Sequence, residues 1–572
     1  MKFDVDKALT RLGNFNRWRL LMYTCVALSF NVSGTWHMMV VVFTGGEPDH
    51  HCNLPPNVTK EDAIPKEIVH GKSVYSHCKQ YINLSSETNE TENCPHGWWY
   101  DPDIGKTTVT EWDLVCDRNF YVETSQSVFV AGVLVGALLF TTMADRFGRK
   151  PVHFACQWAM IVIGTLCAVV PDFTSFAALK FFNGALREGT GLTGIVLTCE
   201  LWQASMRSVT GVGMQLFWSL AWFSLALLAY LIRDWRQLQL VISLVSLFTI
   251  PLFWVIPESI IWLAANGKGH EAADLLRKAT TWDGKPHALD DIIGDGTERL
   301  MSIAGDGDVS NHVTNQKKQQ VFKRLRDLLK GDDKKEDDGP KYTLLDIFRS
   351  RKMLLYSSIM CSLWFVNTLV YHGLTLLSSK LAGNIYLNFF FSGLVEVPAY
   401  IVCILVLQTL GRRWPLCFHH VLTGVALLIA SFLPEETESG TDIKWLITVF
   451  ALIGKYGITF SFAEVVLYCQ EIYPTNLRNA GIGLSSLFGR VANILAPFST
   501  YVIKFFPGFP GILFGVMSIV IGFVSLLLPE TLGRPLPLSI EDIENWDRIP
   551  RKRSEERGVV KVDTDSRQDE EL

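Results

Sequence analysis

Residues 144–151 read ADRFGRKP, and residues 407–415 read LQTLGRRWP. Each is a short basic turn wedged between two long apolar runs. Two more pairs recur in the same order: ELWQASMR (200–207) with EIYPTNLR (471–478), and PES (257–259) with PET (529–531). The members of each pair lie roughly 270 residues apart. One such pair would be weak evidence. Three in register indicate two halves built on one plan.

The surrounding composition says what those halves are made of. The chain has 572 residues, 49% hydrophobic and only 19% charged, a balance foreign to soluble chains of this length. Its apolar residues gather in runs of roughly 18–25, enough for a helix to cross ~30 Å of hydrocarbon. Twelve spans are read. Spans 1 to 6 lie at about 20–44, 124–143, 151–171, 175–198, 209–232 and 237–256. Spans 7 to 12 lie at about 353–376, 385–407, 415–433, 443–468, 480–505 and 510–528. Span 4 is the weakest, because Lys180, Arg187 and Glu188 interrupt it. The fold class is therefore an all-α polytopic membrane protein with 12 transmembrane helices in two six-helix halves, the major facilitator fold.

Charge placement orients the spans. Lys7, Arg11, Arg17 and Arg19 precede span 1, and Arg146, Arg149 and Lys150 lie between spans 2 and 3. Arg207, Arg351, Lys352, Arg412, Arg413 and Arg478 fall on the same face, which is then expected to be cytoplasmic. Arg233 and Arg236 are the exceptions. Both termini are expected to be cytoplasmic. The first apolar run is too long for a signal-peptide core, so no cleavable signal is expected. The loop 45–121 is then extracellular. It carries Cys52, Cys78, Cys94 and Cys116, so two disulfides are expected, with three pairings open. It also carries glycosylation sequons at Asn57, Asn83 and Asn89. A further sequon at Asn31 falls inside span 1 and is discounted.

The expected organisation is a cytoplasmic N-terminus (1–19), an N-terminal half (20–256), a cytoplasmic linker (257–352), a C-terminal half (353–528) and a cytoplasmic tail (529–572). In the linker, HEAADLLRKATTW reads as an amphipathic helix, and about 305–339 reads as a mobile polar segment. The repeated turns suit a gate, since basic turns can pair with acids or helix C-termini on the same face. Expected gating residues are Asp145, Arg146, Arg149, Glu200, Arg207 and Glu258 in the first half. Their counterparts are Arg412, Glu471, Arg478 and Glu530, with Lys455 as a further gate ion pair. Gln408 replaces Asp145 in the second copy.

These motifs, with TGGEPDHHC, TVTEWDLVCD, PESIIWL, VEVPAY, GKYGITFSF, EIYPTNLRNAG and PETLGRPLP, cover nearly the whole chain. Together they make it resemble the organic cation, anion and carnitine transporters of the major facilitator superfamily. YLIRDWR and EVPAY look most like the carnitine and zwitterion members. The resemblance implies alternating access: small organic ions enter a cavity between the halves, which rock to expose it to either side. It also implies that Arg490 matches anion and carnitine-type members, where cation transporters carry Asp. Glu188 stands where cation-transporting relatives carry Lys.

Ionisable residues at membrane depth are functional candidates, because each costs at least ~2.5–3.5 kcal/mol to insert. Here they are Arg187, Glu188, Glu396, Lys455, Glu464 and Arg490, with His37, Gln215 and His372 as less costly polar groups. Arg490, alone in LSSLFGRVANILAP, can hold a carboxylate bidentately, or it can pair with Glu188 or Glu464. Arg187 and Glu188, being adjacent, are expected to point about 100° apart. Glu464 is a candidate cation or proton site. Expected substrate contacts are Arg490, Glu188, Glu464, Gln215, Trp218, Trp364, Tyr371 and Tyr400, the aromatic faces suiting a quaternary ammonium.

The expected function is plasma-membrane transport of small organic ions, carnitine-like zwitterions first, organic anions second and organic cations third. A non-transporting solute sensor is the reading from another class. No nucleotide loop, zinc-spaced His/Cys set or catalytic triad occurs, so no enzyme and no metal site are expected. No cofactor is expected, with sodium or proton coupling left open. The expected partners are the substrate and the lipid bilayer, with no nucleic acid, and the chain is expected to be a monomer.

Overall fold

The structure is a computed structural model. It describes residues 5–13, 16–56, 58–69, 72–82, 90–203, 206–284, 346–347, 350–378, 381, 383–434, 436, 443–475, 477–506, 508–534 and 536–546. All twelve spans are helical. Eight are single helices: Tyr121–Phe147, Arg149–Cys167, Phe173–Glu200, Arg351–Leu377, Ile385–Thr409, Arg413–Phe432, Lys444–Ile472 and Phe509–Ser525. Several start at a side-chain cap. Asn16, Asp172, Asp234, Ser350 and Asn384 each accept a backbone N–H of the first turn, worth about 1 kcal/mol apiece.

The other four spans are interrupted. Span 1 is Arg17–Met39 with Val41–Thr44, and span 5 is Arg207–Gly213 with Gln215–Leu231. Span 6 is Trp235–Val245 and Thr249–Val255 joined by a 3-10 turn. Span 11 is Arg478–Leu495 and Phe498–Phe505, divided at Pro497, which has no N–H to continue the ladder. Span 8 runs through Pro398 as one helix. Span 4, the weakest by hydropathy, is one helix of 28 residues. Charge affects where a helix can sit more than whether its backbone forms.

Span 4 is pressed backbone to backbone on span 2. A methyl added at Gly132 would collide with the Phe181 carbonyl, and one at Gly184 with the Phe129 carbonyl. This contact fixes the helix that carries Arg187 and Glu188.

The two halves meet most visibly on the face that bears the disulfide loop, called here the loop face. Trp222 stacks on Phe389 at 4.3 Å between centroids, and Phe43 packs on Phe389 and Tyr386 at 4.9 and 5.5 Å. The Ser127 hydroxyl donates to the Ile494 carbonyl, and Thr500 donates to Glu123 at 3.1 Å. Lys504 Nζ lies 2.7 Å from Glu47 Oε2. On the opposite, terminal face, helix Val5–Arg11 packs with Ile260–Ala265 and Gly269–Trp282 in one apolar cluster under the N-terminal half. Gly269–Trp282 is the amphipathic helix read in the linker.

The loop holds three two-stranded antiparallel ribbons, and its disulfides are Cys52–Cys94 and Cys78–Cys116. Arg236, an exception to the charge rule, belongs to this loop's packing. It contacts Glu111 at 2.6 Å and donates to the carbonyls of Ala168 and Val170. Asn31 is buried and donates to the Ala27 carbonyl, as a residue inside a span should. Asn57, Asn83, Asn89, the segment 305–339 and the charged tail lie outside the described residues.

Candidate functional site

Three charges converge at mid-depth where the halves face each other. Arg490 Nη2 of span 11 lies 2.7 Å from Glu188 Oε1 of span 4. Arg187 Nη1 lies 2.8 Å from the other oxygen, Oε2. Two guanidiniums thus share one carboxylate and leave one positive charge in excess. The expectation that Arg187 and Glu188 point apart is overturned. Their Cβ atoms diverge, but an arginine side chain is long enough to curl back to its neighbour. The cluster is not sealed: the Arg490 and Arg187 side chains are 21% and 19% exposed. Methyls added at Gly191, Gly211 and Gly483, on spans 4, 5 and 11, would meet nothing within 4 Å, so open space lies along these helices.

A second polar chain continues from the first. The Arg187 guanidinium lies over the Trp218 ring at 5.9 Å, and Trp218 Nε1 donates to the Tyr371 hydroxyl at 3.1 Å. Tyr371 donates to Glu396 Oε1 at 2.6 Å, and Tyr400 donates to Oε2 at 3.4 Å. Lys455 Nζ is 3.0 Å from Glu396 Oε1 and donates to Thr375 Oγ1 at 2.7 Å. The ammonium also lies over the Tyr371 ring at 3.3 Å and near Trp222 at 5.2 Å. Four of the expected substrate contacts, Arg490, Glu188, Trp218 and Tyr371, thus belong to one connected array, with Tyr400 at its far end. Trp364 packs edge-on against Phe462 at 6.0 Å and against Gly489, next to Arg490. Gln215 is half-buried at the start of the helix that carries Trp218.

Two of the expected ion-pair candidates differ in their surroundings. Lys455 does form an ion pair, and it lies deep within one half. It is 2% exposed, its partner Glu396 is fully buried, and both belong to the C-terminal half. Glu464 is no partner of Arg490, which is held by Glu188. It is buried with the span 8 residues Ala399, Cys403 and Leu407 packed on the helix turns around it. Helix phase decides this, and an apolar run with no amphipathic stripe does not reveal its phase.

The repeated turns have nearly the same geometry in both halves. Glu258 accepts the backbone N–H groups of Arg149 and Lys150, the first of span 3. Glu530 accepts those of Arg412 and Arg413, at the start of span 9. Each carboxylate caps a helix N-terminus, where unpaired N–H groups and the helix dipole favour an anion. The turn needs glycine: Gly148 and Gly411 have φ of 104° and 89°, and a Cβ there would strike the Glu258 or Glu530 carboxylate. The guanidiniums pair with the acid ending the next even span. Arg412 grips Glu471 through Nε and Nη2 at 3.0 and 2.9 Å, while Arg149 Nε is 3.6 Å from Glu200 and its Nη2 is 3.1 Å from Asp145.

These ion pairs join elements of one half, so they brace each half as a body. Arg146 is exposed beside Phe147 and Arg478 donates to Thr475, both apart from the ion pairs. The Arg207 side chain lies outside the described residues. Sequence reasoning missed Glu47–Lys504 and Glu123–Thr500 on the loop face. Each joins segments far apart in the chain, and no local pattern pairs them.

A helical bundle in two repeated halves, with opposite charges meeting between them, is a membrane transporter's architecture. The comparisons agree. Residues 73–541 match the family model described as sugar (and other) transporter. The chain is 33% identical to the organic cation transporter protein of Drosophila melanogaster, over 97% of this chain and 98% of that one. It is 31% identical to organic anion transporter 3 of Mus musculus, over 96% of each chain. It is 30% identical to organic cation/carnitine transporter 2 of Rattus norvegicus, over 97% and 98%. Among solved structures, the partially occluded inward-open xylose transporter XylE from E. coli superposes with a TM-score of 0.56. That match covers 92% of this chain and 100% of XylE at 14% identity, a likeness of fold alone.

The chain belongs to the sugar (and other) transporter family of the major facilitator superfamily. It is a multi-pass membrane transporter and not an enzyme.

Proposed function

We propose that this transporter carries carboxylate-bearing organic ions, carnitine-like zwitterions foremost, by alternating access. The observation that carries the reading is the Arg490–Glu188 pair between the halves. A zwitterion can replace it charge for charge: its carboxylate takes Arg490 and its ammonium takes Glu188 beside the Trp218 ring. Neither buried charge is then left without a partner, which keeps the exchange affordable in a low-dielectric cavity. An organic anion is the second reading, favoured by Arg187. With Arg490 on an anion, Glu188 still has Arg187, and the excess positive charge is neutralised.

In this reading the loop face is extracellular and both termini are cytoplasmic, at the plasma membrane, with the chain acting as a monomer. The sequons at Asn57, Asn83 and Asn89 are glycosylated. Opening of the loop face separates Lys504 from Glu47, while the Arg149 cluster keeps the N-terminal half rigid as it rocks.

Uptake of radiolabelled L-carnitine, p-aminohippurate and tetraethylammonium into expressing cells, with and without sodium, tests this. Arg490→Ala is expected to lower uptake of both carboxylates by about 100-fold, the scale of one lost charge-assisted contact. Glu188→Gln is expected to remove carnitine uptake and spare p-aminohippurate. Carboxylate uptake unchanged in Arg490→Ala at normal surface expression would sink the proposal.

A further inference from the structure

Glu464 is an ionisable group at membrane depth that the transport reading leaves without a task. It is fully buried, and among the described residues neither carboxylate oxygen has a hydrogen-bond partner. Other acids nearby are held: buried Glu396 by Lys455 and two tyrosines, half-buried Glu471 by Arg412 and Thr531, and half-buried Glu530 by backbone N–H groups. An ionised carboxylate without partners in an apolar interior costs several kcal/mol, so this one carries a proton in the conformation seen here.

Its surroundings give that proton a role. Glu464 lies seven residues before Glu471 on the same helix, two turns or about 10 Å from it. It is within electrostatic reach of Arg412, Glu530 and Glu471. Span 8 brings Cys403 to it, the turn between spans 8 and 9 brings Arg412, and its own helix brings Tyr468. On the span 9 side, His419 stacks on Phe460 at 3.5 Å and hydrogen-bonds the Pro415 carbonyl. On the span 7 side, the same helix meets Tyr371 through Lys455. Arg412 and Arg413 match Glu471 and Glu530 in number, so a third carboxylate has no cation left. While Arg412 grips Glu471, ionised Glu464 would be stranded. If that grip loosens, a guanidinium becomes free for it.

We infer that Glu464 is a proton-binding site loaded and emptied in the transport cycle. It holds a proton while Arg412 is bound to Glu471 and yields it to water on the terminal face when that clamp opens. The proton passes from the carboxyl oxygen to water, and the carboxylate formed is neutralised by the released Arg412. Substrate movement is thereby tied to a proton. The inference rests on the transport reading, but the occupancy of the site does not.

The test uses the purified full-length protein. Infrared spectra of wild type and Glu464→Gln, taken in lipid nanodiscs, are expected to differ by one protonated carboxylic-acid carbonyl band. In proteoliposomes, wild-type uptake of L-carnitine or p-aminohippurate is expected to respond to an imposed pH gradient, by up to about tenfold per pH unit, the limit for one titrating proton. Glu464→Gln should still take up the probe with a flat pH response, and Glu464→Asp should keep the wild-type response. Identical infrared spectra, or a wild-type pH response in Glu464→Gln, would overturn the inference. No uptake of any probe by a wild type that keeps the band counts against the transport reading instead.

Discussion

Two ion pairs lie at similar depth in this bundle, and they differ in what surrounds them. Lys455–Glu396 joins spans 10 and 8 of one half and is sealed, with both side chains 2% exposed or less. Arg490–Glu188 joins spans 11 and 4 of opposite halves, and its guanidinium is 21% exposed. The first is tied by Thr375, Tyr371 and Tyr400, with little left to exchange. The second shares its carboxylate with Arg187, so either partner can leave without stranding it. A sealed pair has a structural task. A shared pair between moving bodies is one that a substrate can open.

The largest expected effect breaks the sealed pair. Lys455→Ala leaves Glu396 buried without its cation, which should cost about 3–5 kcal/mol. Arg490→Ala should cost only about 1 kcal/mol, because Glu188 keeps Arg187 and the cavity is partly open. Thermal unfolding of the two purified variants, followed by fluorescence-detected size exclusion, gives the comparison. Equal losses would erase the distinction between the pairs.

A smaller effect probes the braces that keep each half rigid. Gly411→Ala and Gly148→Ala each force a side chain into positive φ and against a capping carboxylate. Each should destabilise its half by about 1–3 kcal/mol. Unfolding temperatures lowered alike in both would match the near-identical geometry of the two turns. A loss confined to one would show that the halves are braced unequally.

The smallest effect concerns an ion pair outside the membrane. Burial raises the Glu111 carboxyl, but hydrogen bonds from Arg236 and Trp235 outweigh it and hold it below its ordinary value. Burial lowers the His50 imidazole, although the Pro48 carbonyl and nearby acids oppose the shift. A depressed folded-state value has the same sign for both groups. The stability they give is present above their unfolded values and is lost as pH falls through the folded ones. Limited proteolysis of the loop should therefore accelerate on acidification, and Glu111→Gln should lose part of that dependence. A loop whose cleavage rate ignores pH would contradict this.

Much of the fold was legible because it is local. Hydrophobic runs gave all twelve spans, and the recurring PES and PET marked acids that cap equivalent helices. Cys52, Cys78, Cys94 and Cys116 announced two disulfides, but only the folded loop chose the partners. At the site, membrane depth flagged Arg490, Glu188, Glu396, Lys455 and Glu464 alike. It could not say which of them meet.

That division has a physical reason. Inserting a helix into lipid depends on its own residues, so length, apolarity, caps and the two-half repeat can be read along the chain. Which charges pair depends on the phase of long, nearly all-apolar helices and on contacts between residues far apart in sequence. Packing alone set Glu188 between two arginines, closed Lys455 on Glu396 and left Glu464 without a hydrogen-bond partner among the described residues.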